Sequence, residues 1–292
     1  MKDKIFRGLG TALVTPFKDG SVDFEALGGI LQQQKDAGVH FLVPLGTTAE
    51  TPCLTATEKV DILIFTKEQC PGVPVIAGAG SNSLAATLEN MRLLSPCGPD
   101  AFLVVVPYYN KPTQEGMYQY FKAVAESTDK NIVLYNVPGR TGANMNAETT
   151  LRLAEIPNIV AVKEASGKYS QIAEIIRCAP EGFSVLSGND DETLSLMATG
   201  ADGIISVASN IAPGPIVKMV EAIWANRMDE ARRLFYSLLP LYRNCFVESS
   251  PIPVKAGMSL LGLLNNELRL PLTPATSATV ELMRQTWDKL EL

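Results

Sequence analysis

The sequence predicts an α/β fold, a (β/α)8 TIM barrel with a C-terminal helical appendage. Three observations point there. Short apolar segments rich in Val, Ile and Leu recur along the chain, and several lack polar alternation, as strands buried on both faces do. Amphipathic stretches separate them. Eight strand–helix units fit within roughly 220 residues, close to the usual barrel size of about 250. An open doubly wound sheet is the alternative. It would place a GxGxxG loop after its first strand, whereas here Gly8-Leu9-Gly10 precedes the first predicted strand.

In chain order the predicted strands are Ala12–Thr15, Phe41–Leu45, Val73–Ala77, Phe102–Val106, Ile132–Tyr135, Ile159–Lys163, Ser184–Leu186 and Gly203–Val207. Between them, Phe24, Leu27 and Leu31 share one helical face. Thr55 and Glu58 have the spacing of a capping box, after which Val60, Leu63 and Ile64 are expected to point inward. Ile172, Ile175, Ile176 and Ala179 repeat the helical spacing, as do Ile216, Val220, Ile223 and Trp224. From about Met228 the pattern is purely helical. Thr273 and Pro274 suit an N-cap and first turn, with Val280, Met283 and Trp287 as a stripe behind them. The expected division is a barrel over 1–227 and a helical region over 228–292.

Composition narrows the function classes. The chain has 292 residues, 46% of them hydrophobic, which suffices for one large α/β domain with an appendage. A net charge of -6 with no basic block gives no electrostatic case for nucleic acid or an anionic membrane. Cys53, Cys70, Cys97, Cys178 and Cys245 are scattered, odd in number and without CxxC spacing, so reduced thiols in a cytoplasmic protein are expected. Met1-Lys2-Asp3-Lys4-Ile5-Phe6-Arg7-Gly8 has no apolar core of a signal peptide, and no apolar run is long enough to span a bilayer. His40 is the lone histidine, which argues against a metal site or a His-based triad and for a packing or surface role.

The chemistry gathers at the predicted strand ends, where a parallel barrel carries its active site. The second strand runs into Gly46-Thr47-Thr48-Ala49-Glu50, the fourth into Pro107-Tyr108-Tyr109-Asn110, the fifth ends at Tyr135 and the sixth at Lys163. The seventh leads into Ser187-Gly188-Asn189-Asp190, and the eighth carries Ile204-Ile205-Ser206. Lys163 is the most informative of these. It closes the apolar run Ile159-Val160-Ala161-Val162, where an ammonium is costly unless paired, neutral or at work. Desolvation favours the neutral amine, a nucleophile for carbonyls. Each residue also has a plainer reading. Lys163 can pair with Glu164 or snorkel, Tyr135 can be a core tyrosine, Thr47 and Thr48 can cap a helix, and Arg140 can be a surface loop arginine. Their joint occurrence, in order, favours Schiff-base chemistry with a phenol nearby to move protons.

These motifs, with Tyr135-Asn136-Val137-Pro138-Gly139-Arg140-Thr141-Gly142, Val162-Lys163-Glu164-Ala165-Ser166 and Pro251-Ile252-Pro253-Val254-Lys255, resemble the pyruvate-dependent class I aldolase family that includes dihydrodipicolinate synthases and N-acetylneuraminate lyases. The similarity extends over essentially the whole chain and is closest to the dihydrodipicolinate synthase branch. The resemblance implies that Lys163 forms an imine with pyruvate. The derived enamine then adds to L-aspartate 4-semialdehyde, in the diaminopimelate route of lysine biosynthesis. It implies that Tyr135 shuttles protons, that Thr47 links it to Tyr109, and that Tyr109 enters a neighbouring subunit's site in a homotetramer built as a dimer of dimers. Thr48 would hold the pyruvate carboxylate, Arg140 the carboxylate of the aldehyde, and Gly188 and Ile205 would line the pyruvate pocket. No metal or other cofactor is implied. Another pyruvate-dependent lyase of the same family, acting on a sugar-acid aldehyde, is the alternative, and Arg140 with the Tyr108-Tyr109 pair favours the synthase.

The chain departs from the family pattern in two places. Ala49 stands where glycine is usual, and it would be strained if that position needs positive φ. Members inhibited by lysine use a glutamate early in the helix after the third strand and histidines after the second-strand motif. Here Asn82-Ser83-Leu84-Ala85-Ala86-Thr87 lacks that glutamate, and Ala56 and Lys59 stand in the other stretch. Asn82 and Tyr108 remain, and weak or absent lysine feedback is expected.

Overall fold

Glycine decides where the first strand lies. In the computed structural model, which describes residues 4–290, β1 is Gly8–Ala12, four residues earlier than the predicted Ala12–Thr15. Gly10 pairs with Phe41, and a Cβ on Gly10 would lie 2.0 Å from the Phe41 ring. The glycines that lower strand propensity here are what let a large ring pack against the backbone. Beyond Ala12 the ladder gives way to a side chain. Asn210 Nδ2 donates to the Ala12 carbonyl at 2.8 Å, and its Oδ1 accepts from the Val14 amide at 3.2 Å. Met1, Lys2 and Asp3, part of the stretch read for a leader, lie outside the described residues.

The other strands of the same sheet are β2 (Phe41–Val43), β3 (Ile76–Gly78), β4 (Ala101–Val105), β5 (Asn131–Asn136), β6 (Ile159–Glu164), β7 (Ser184–Ser187) and β8 (Gly203–Ser206). The eight belong to one sheet, and the fold is the predicted (β/α)8 barrel with further helices at the C-terminal end. β4 to β8 begin within a residue of their predicted starts. β3 begins later than Val73 because Asp100 claims the backbone before it: its carboxylate accepts from the Val75 amide at 2.8 Å.

The chain divides into two compact units. One comprises the N-terminal residues up to Arg7 with Pro74–Ile205. Within it β3 to β8 pair in parallel with their sequence neighbours, and the register sets Val105 beside Tyr135 and Tyr135 beside Lys163. Amphipathic helices alternate with these strands. In Tyr169–Cys178, Ile172 and Ile175 are buried, while Ile176 and Ala179 are only half-buried.

The other unit is Gly8–Val73 with the chain from Ser206 onward. β1 and β2 pair in parallel across the helix Phe24–Asp36, whose Leu27, Ile30 and Leu31 are buried. The capping box forms as expected at the start of Ala56–Gln69. Its inward face is Ile62, Leu63 and Thr66, however, and Ile64 is exposed. The face is readable only once the Thr66 hydroxyl is seen to donate to the Ile62 carbonyl, so that threonine counts as an inward residue. His40 packs: its Nδ1 accepts from the Leu9 amide, and its ring meets Trp224 edge-on at 5.1 Å. The last helix, Ser277–Asp288, is capped by Thr276 rather than Thr273, because Thr276 accepts from the Thr279 amide and donates to Glu248. Met283 is buried on that helix, whereas Trp287 is half-exposed.

Candidate active site

Strand alternation separates two neighbours of opposite charge. Lys163 and Glu164 are consecutive on β6, so their side chains leave opposite faces. Lys163 is 6% exposed, and its Nζ lies 4.3 Å from the centroid of the Tyr135 ring, the register partner on β5. The ring face supplies the electrostatic complement that an ammonium needs when it leaves water. Glu164 is fully buried and takes its hydrogen bonds from amides: Asn136 Nδ2 at 3.1 Å, Gln171 Nε2 at 3.1 Å and the Ser166 backbone N–H at 2.9 Å. Burial raises its carboxyl pKa above the ordinary value, and the Ser166, Asn136 and Gln171 donors oppose that rise. The reading of Lys163 as an ion-pair partner of Glu164 therefore gives way to an amine beside a phenol.

Space for that amine comes from Gly188, which follows β7. A Cβ there would stand 2.7 Å from Ala165 Cβ and 3.2 Å from Lys163 Cε, and the Gly188 amide donates to the Glu164 carbonyl at 2.7 Å. Ile205 is fully buried in β8. Arg140 is exposed on the short helical turn Pro138–Thr141, which opens on proline and closes on Gly142 at φ 68°. Asn136 ties the segment after that turn to the strand ends. Its Oδ1 accepts from the Met145 amide at 3.0 Å, while its Nδ2 reaches Glu164. Tyr108 is 37% exposed, and Tyr109 is 89% exposed with a backbone φ of 69°.

The Gly-Thr-Thr loop belongs to the second unit. Thr47–Ala49 form a single 3-10 turn in which Thr47 is exposed and Thr48 buried. The left-handed residues here are Leu45 at φ 59° and Glu50 at φ 55°, not Ala49. The anticipated strain of alanine at position 49 is therefore absent. Thr15 Oγ1 donates to the Ala49 carbonyl and Thr51 Oγ1 to the Gly46 carbonyl, each at 2.9 Å. Behind the turn, Lys255 Nζ donates to Glu50 Oε1 at 2.7 Å, with both side chains at 0% exposure. Burial pushes the Lys255 ammonium pKa down, and the Glu50 carboxylate beside it pulls the other way. Sequence reasoning assigned neither residue. The available signal was a lone lysine inside the apolar run Ile252-Pro253-Val254-Lys255-Ala256, the same kind of signal that singled out Lys163.

A buried strand-end lysine beside a phenol, on this fold, is an arrangement that a Schiff-base-forming lyase of the aldolase type would use. The model of the dihydrodipicolinate synthetase family matches residues 5–289. The chain belongs to that family. It is 46% identical over 285 residues to the 4-hydroxy-tetrahydrodipicolinate synthase of Thermotoga maritima, covering 96% of this chain and 97% of that one. Against the enzyme of the same name from Parabacteroides distasonis it is 46% identical over 295 residues, covering 100% of this chain and 99% of the relative. The crystal structure of the T. maritima dihydrodipicolinate synthase superposes with a TM-score of 0.96 at 45% identity, over 98% of each chain. A structure described as the first monomeric dihydrodipicolinate synthase variant gives a TM-score of 0.97 at 44% identity, over 98% of this chain and 97% of that one.

Proposed function

We propose that Lys163 is the nucleophile of a 4-hydroxy-tetrahydrodipicolinate synthase reaction, the condensation of pyruvate with L-aspartate 4-semialdehyde in the diaminopimelate route to lysine. The single observation that carries the assignment is the placement of a buried Lys163 amine at 4.3 Å from the Tyr135 ring, with Gly188 leaving its stem room. The Lys163 amine adds to the pyruvate ketone, and the ketone oxygen departs as water to leave a protonated imine. That imine withdraws electrons so that a methyl proton is lost and an enamine forms. The enamine carbon attacks the aldehyde carbon of the semialdehyde, whose oxygen takes up a proton. The semialdehyde's amino group then adds to the imine carbon and expels the Lys163 amine as the ring closes. No metal or organic cofactor enters this sequence, because the protonated imine is itself the electron sink.

Tyr135 carries protons during imine formation and cyclisation, with Thr47 and Tyr109 as the further hydroxyls of the relay. Thr48 and the backbone amides around it hold the pyruvate carboxylate. Arg140 binds the semialdehyde carboxylate, for which a planar guanidinium fork is suited. Gly188 and Ile205 line the pyruvate pocket. Tyr109 serves the site of a neighbouring subunit in a homotetramer built as a dimer of dimers, and its 89% exposure on its own chain supports that reading. The scattered thiols, none at CxxC spacing, support a cytoplasmic location.

The test is intact-protein mass spectrometry after incubation with pyruvate and borohydride, followed by peptide mapping. A reduced adduct on Lys163, lost in Lys163→Ala while the fold persists, is expected. An adduct on another residue, or none on folded protein, would overturn the assignment.

A further inference from the structure

We propose that Lys255 and Glu50 are positioning residues for substrate binding: their buried ion pair locks the Gly-Thr-Thr loop in the form that holds the pyruvate carboxylate. The proposal rests on the reading of Thr48 given above and goes beyond it to the device that shapes the loop.

Glu50 is the residue that closes the turn Thr47–Ala49. Its amide donates to the Thr47 carbonyl at 3.1 Å, and its backbone sits in the left-handed region at φ 55°, ψ 34°. A residue with a Cβ holds that conformation only when its surroundings over-determine it. Here the side chain does so. Glu50 Oε1 accepts from Lys255 at 2.7 Å, and Oε2 accepts from the Arg269 backbone N–H at 2.9 Å. Lys255 also donates to the Thr15 carbonyl at 2.9 Å and lies 4.4 Å from the Phe17 ring centroid. Thr15 completes the brace, since its hydroxyl holds the Ala49 carbonyl at 2.9 Å.

A pair at 0% exposure on both sides is an inefficient way to stabilise a core. The desolvation of the two charges offsets most of their attraction, and apolar groups of the same volume serve stability as well or better. What the pair provides is direction: one fixed donor for one fixed acceptor, next to the threonines that take the substrate carboxylate. Its partner residues come from the chain's far C-terminal segment, so the terminal helices contribute to the loop's shape while supplying no reacting group.

Single removal of either charge strands the other in the core and can prevent folding. The informative variant is therefore the double replacement Glu50→Gln with Lys255→Met, which leaves no buried charge and nearly the same volume. It is compared with Glu50→Asp, which keeps the charge but withdraws it by one methylene, and with Thr48→Val. Circular dichroism and thermal melting check the fold, and steady-state kinetics separate kcat from KM. The double variant is expected to fold, with KM for pyruvate raised about tenfold or more, kcat at saturating pyruvate within about threefold, and the borohydride adduct still on Lys163. If the double variant does not fold, Glu50→Asp carries the test with the same expected rise. A folded variant with wild-type KM and only a shifted melting temperature would reduce the pair to a structural role and overturn the proposal. Thr48→Val distinguishes the two readings. If it raises KM while the charge-pair variants do not, the positioning proposal alone fails. If Thr48→Val leaves KM unchanged, the reading of Thr48 on which the proposal rests fails, and both fall.

Discussion

Lys163 owes its setting to small and neutral neighbours. Gly188 gives its stem room, and alternation along β6 turns Glu164 away to amide donors. Gly188→Ala brings a methyl to 3.2 Å from Lys163 Cε and 2.7 Å from Ala165 Cβ. A lower kcat, by about 10–100-fold, with the fold intact by circular dichroism is the expected result, since small displacements of a reacting group are costly. Tyr135→Phe keeps the ring beside the amine but removes the hydroxyl proposed to carry protons. Its kcat is expected to fall by about 10²–10⁴-fold, while slow borohydride trapping on Lys163 persists. Arg140→Lys keeps charge and loses the fork, so KM for the semialdehyde should rise about tenfold with KM for pyruvate unchanged. At this scale the sequence was informative where a residue was chemically out of place. Lys163 stood out in an apolar run, and Lys255 stood out in the same way. Lys255 stayed unassigned because its carboxylate partner is 205 positions away, a pairing that no local pattern encodes.

Elements were legible wherever local chemistry and tertiary context agree. β5 and β6 are apolar, β-branched and bounded by turns, and both were located to within a residue at each end. β1 was displaced because its glycines weaken the local signal while serving a long-range contact with Phe41. Gly10→Ala should therefore destabilise by about 1–3 kcal/mol in urea unfolding through overpacking of the Phe41 ring. The start of the last helix was misplaced for a related reason: Thr273-Pro274 and Thr276 are both competent caps, and Glu248, distant in sequence, decides between them. Another long-range pair gives the helix Ala56–Gln69 a pH dependence. Hydrogen bonding to Arg269 lowers the Glu58 pKa from 4.5 to about 2, although burial works against it. A depressed carboxylate pKa favours the folded state above the unfolded value, so this stabilisation is complete above about pH 4.5 and fades as pH falls towards 2. Urea midpoints measured across that window should drop less steeply in Arg269→Met than in the parent.

For the molecule as a whole, the role proposed for Tyr109 in a neighbouring subunit's site would make activity a property of the assembly. Sedimentation should find a tetramer, and Tyr109→Ala should lose activity without losing its melting transition. Addition of L-lysine at submillimolar concentration should leave turnover unchanged, because the stretch Asn82–Thr87 carries no glutamate to pair with the effector's ammonium and Ala56 and Lys59 stand in the stretch after the second-strand motif. The position of the tryptophans has an optical consequence. Trp224, edge-on to His40, and Trp287 are the chain's 2 indoles, and both lie in the unit that runs from Ser206 onward. Indole emission during unfolding is therefore a reporter for that unit, whereas Lys163 and Tyr135 lie in the unit without an indole. Pairing emission with hydrogen exchange along the β5–β6 ladder follows both at once, and a common midpoint would establish a single cooperative transition.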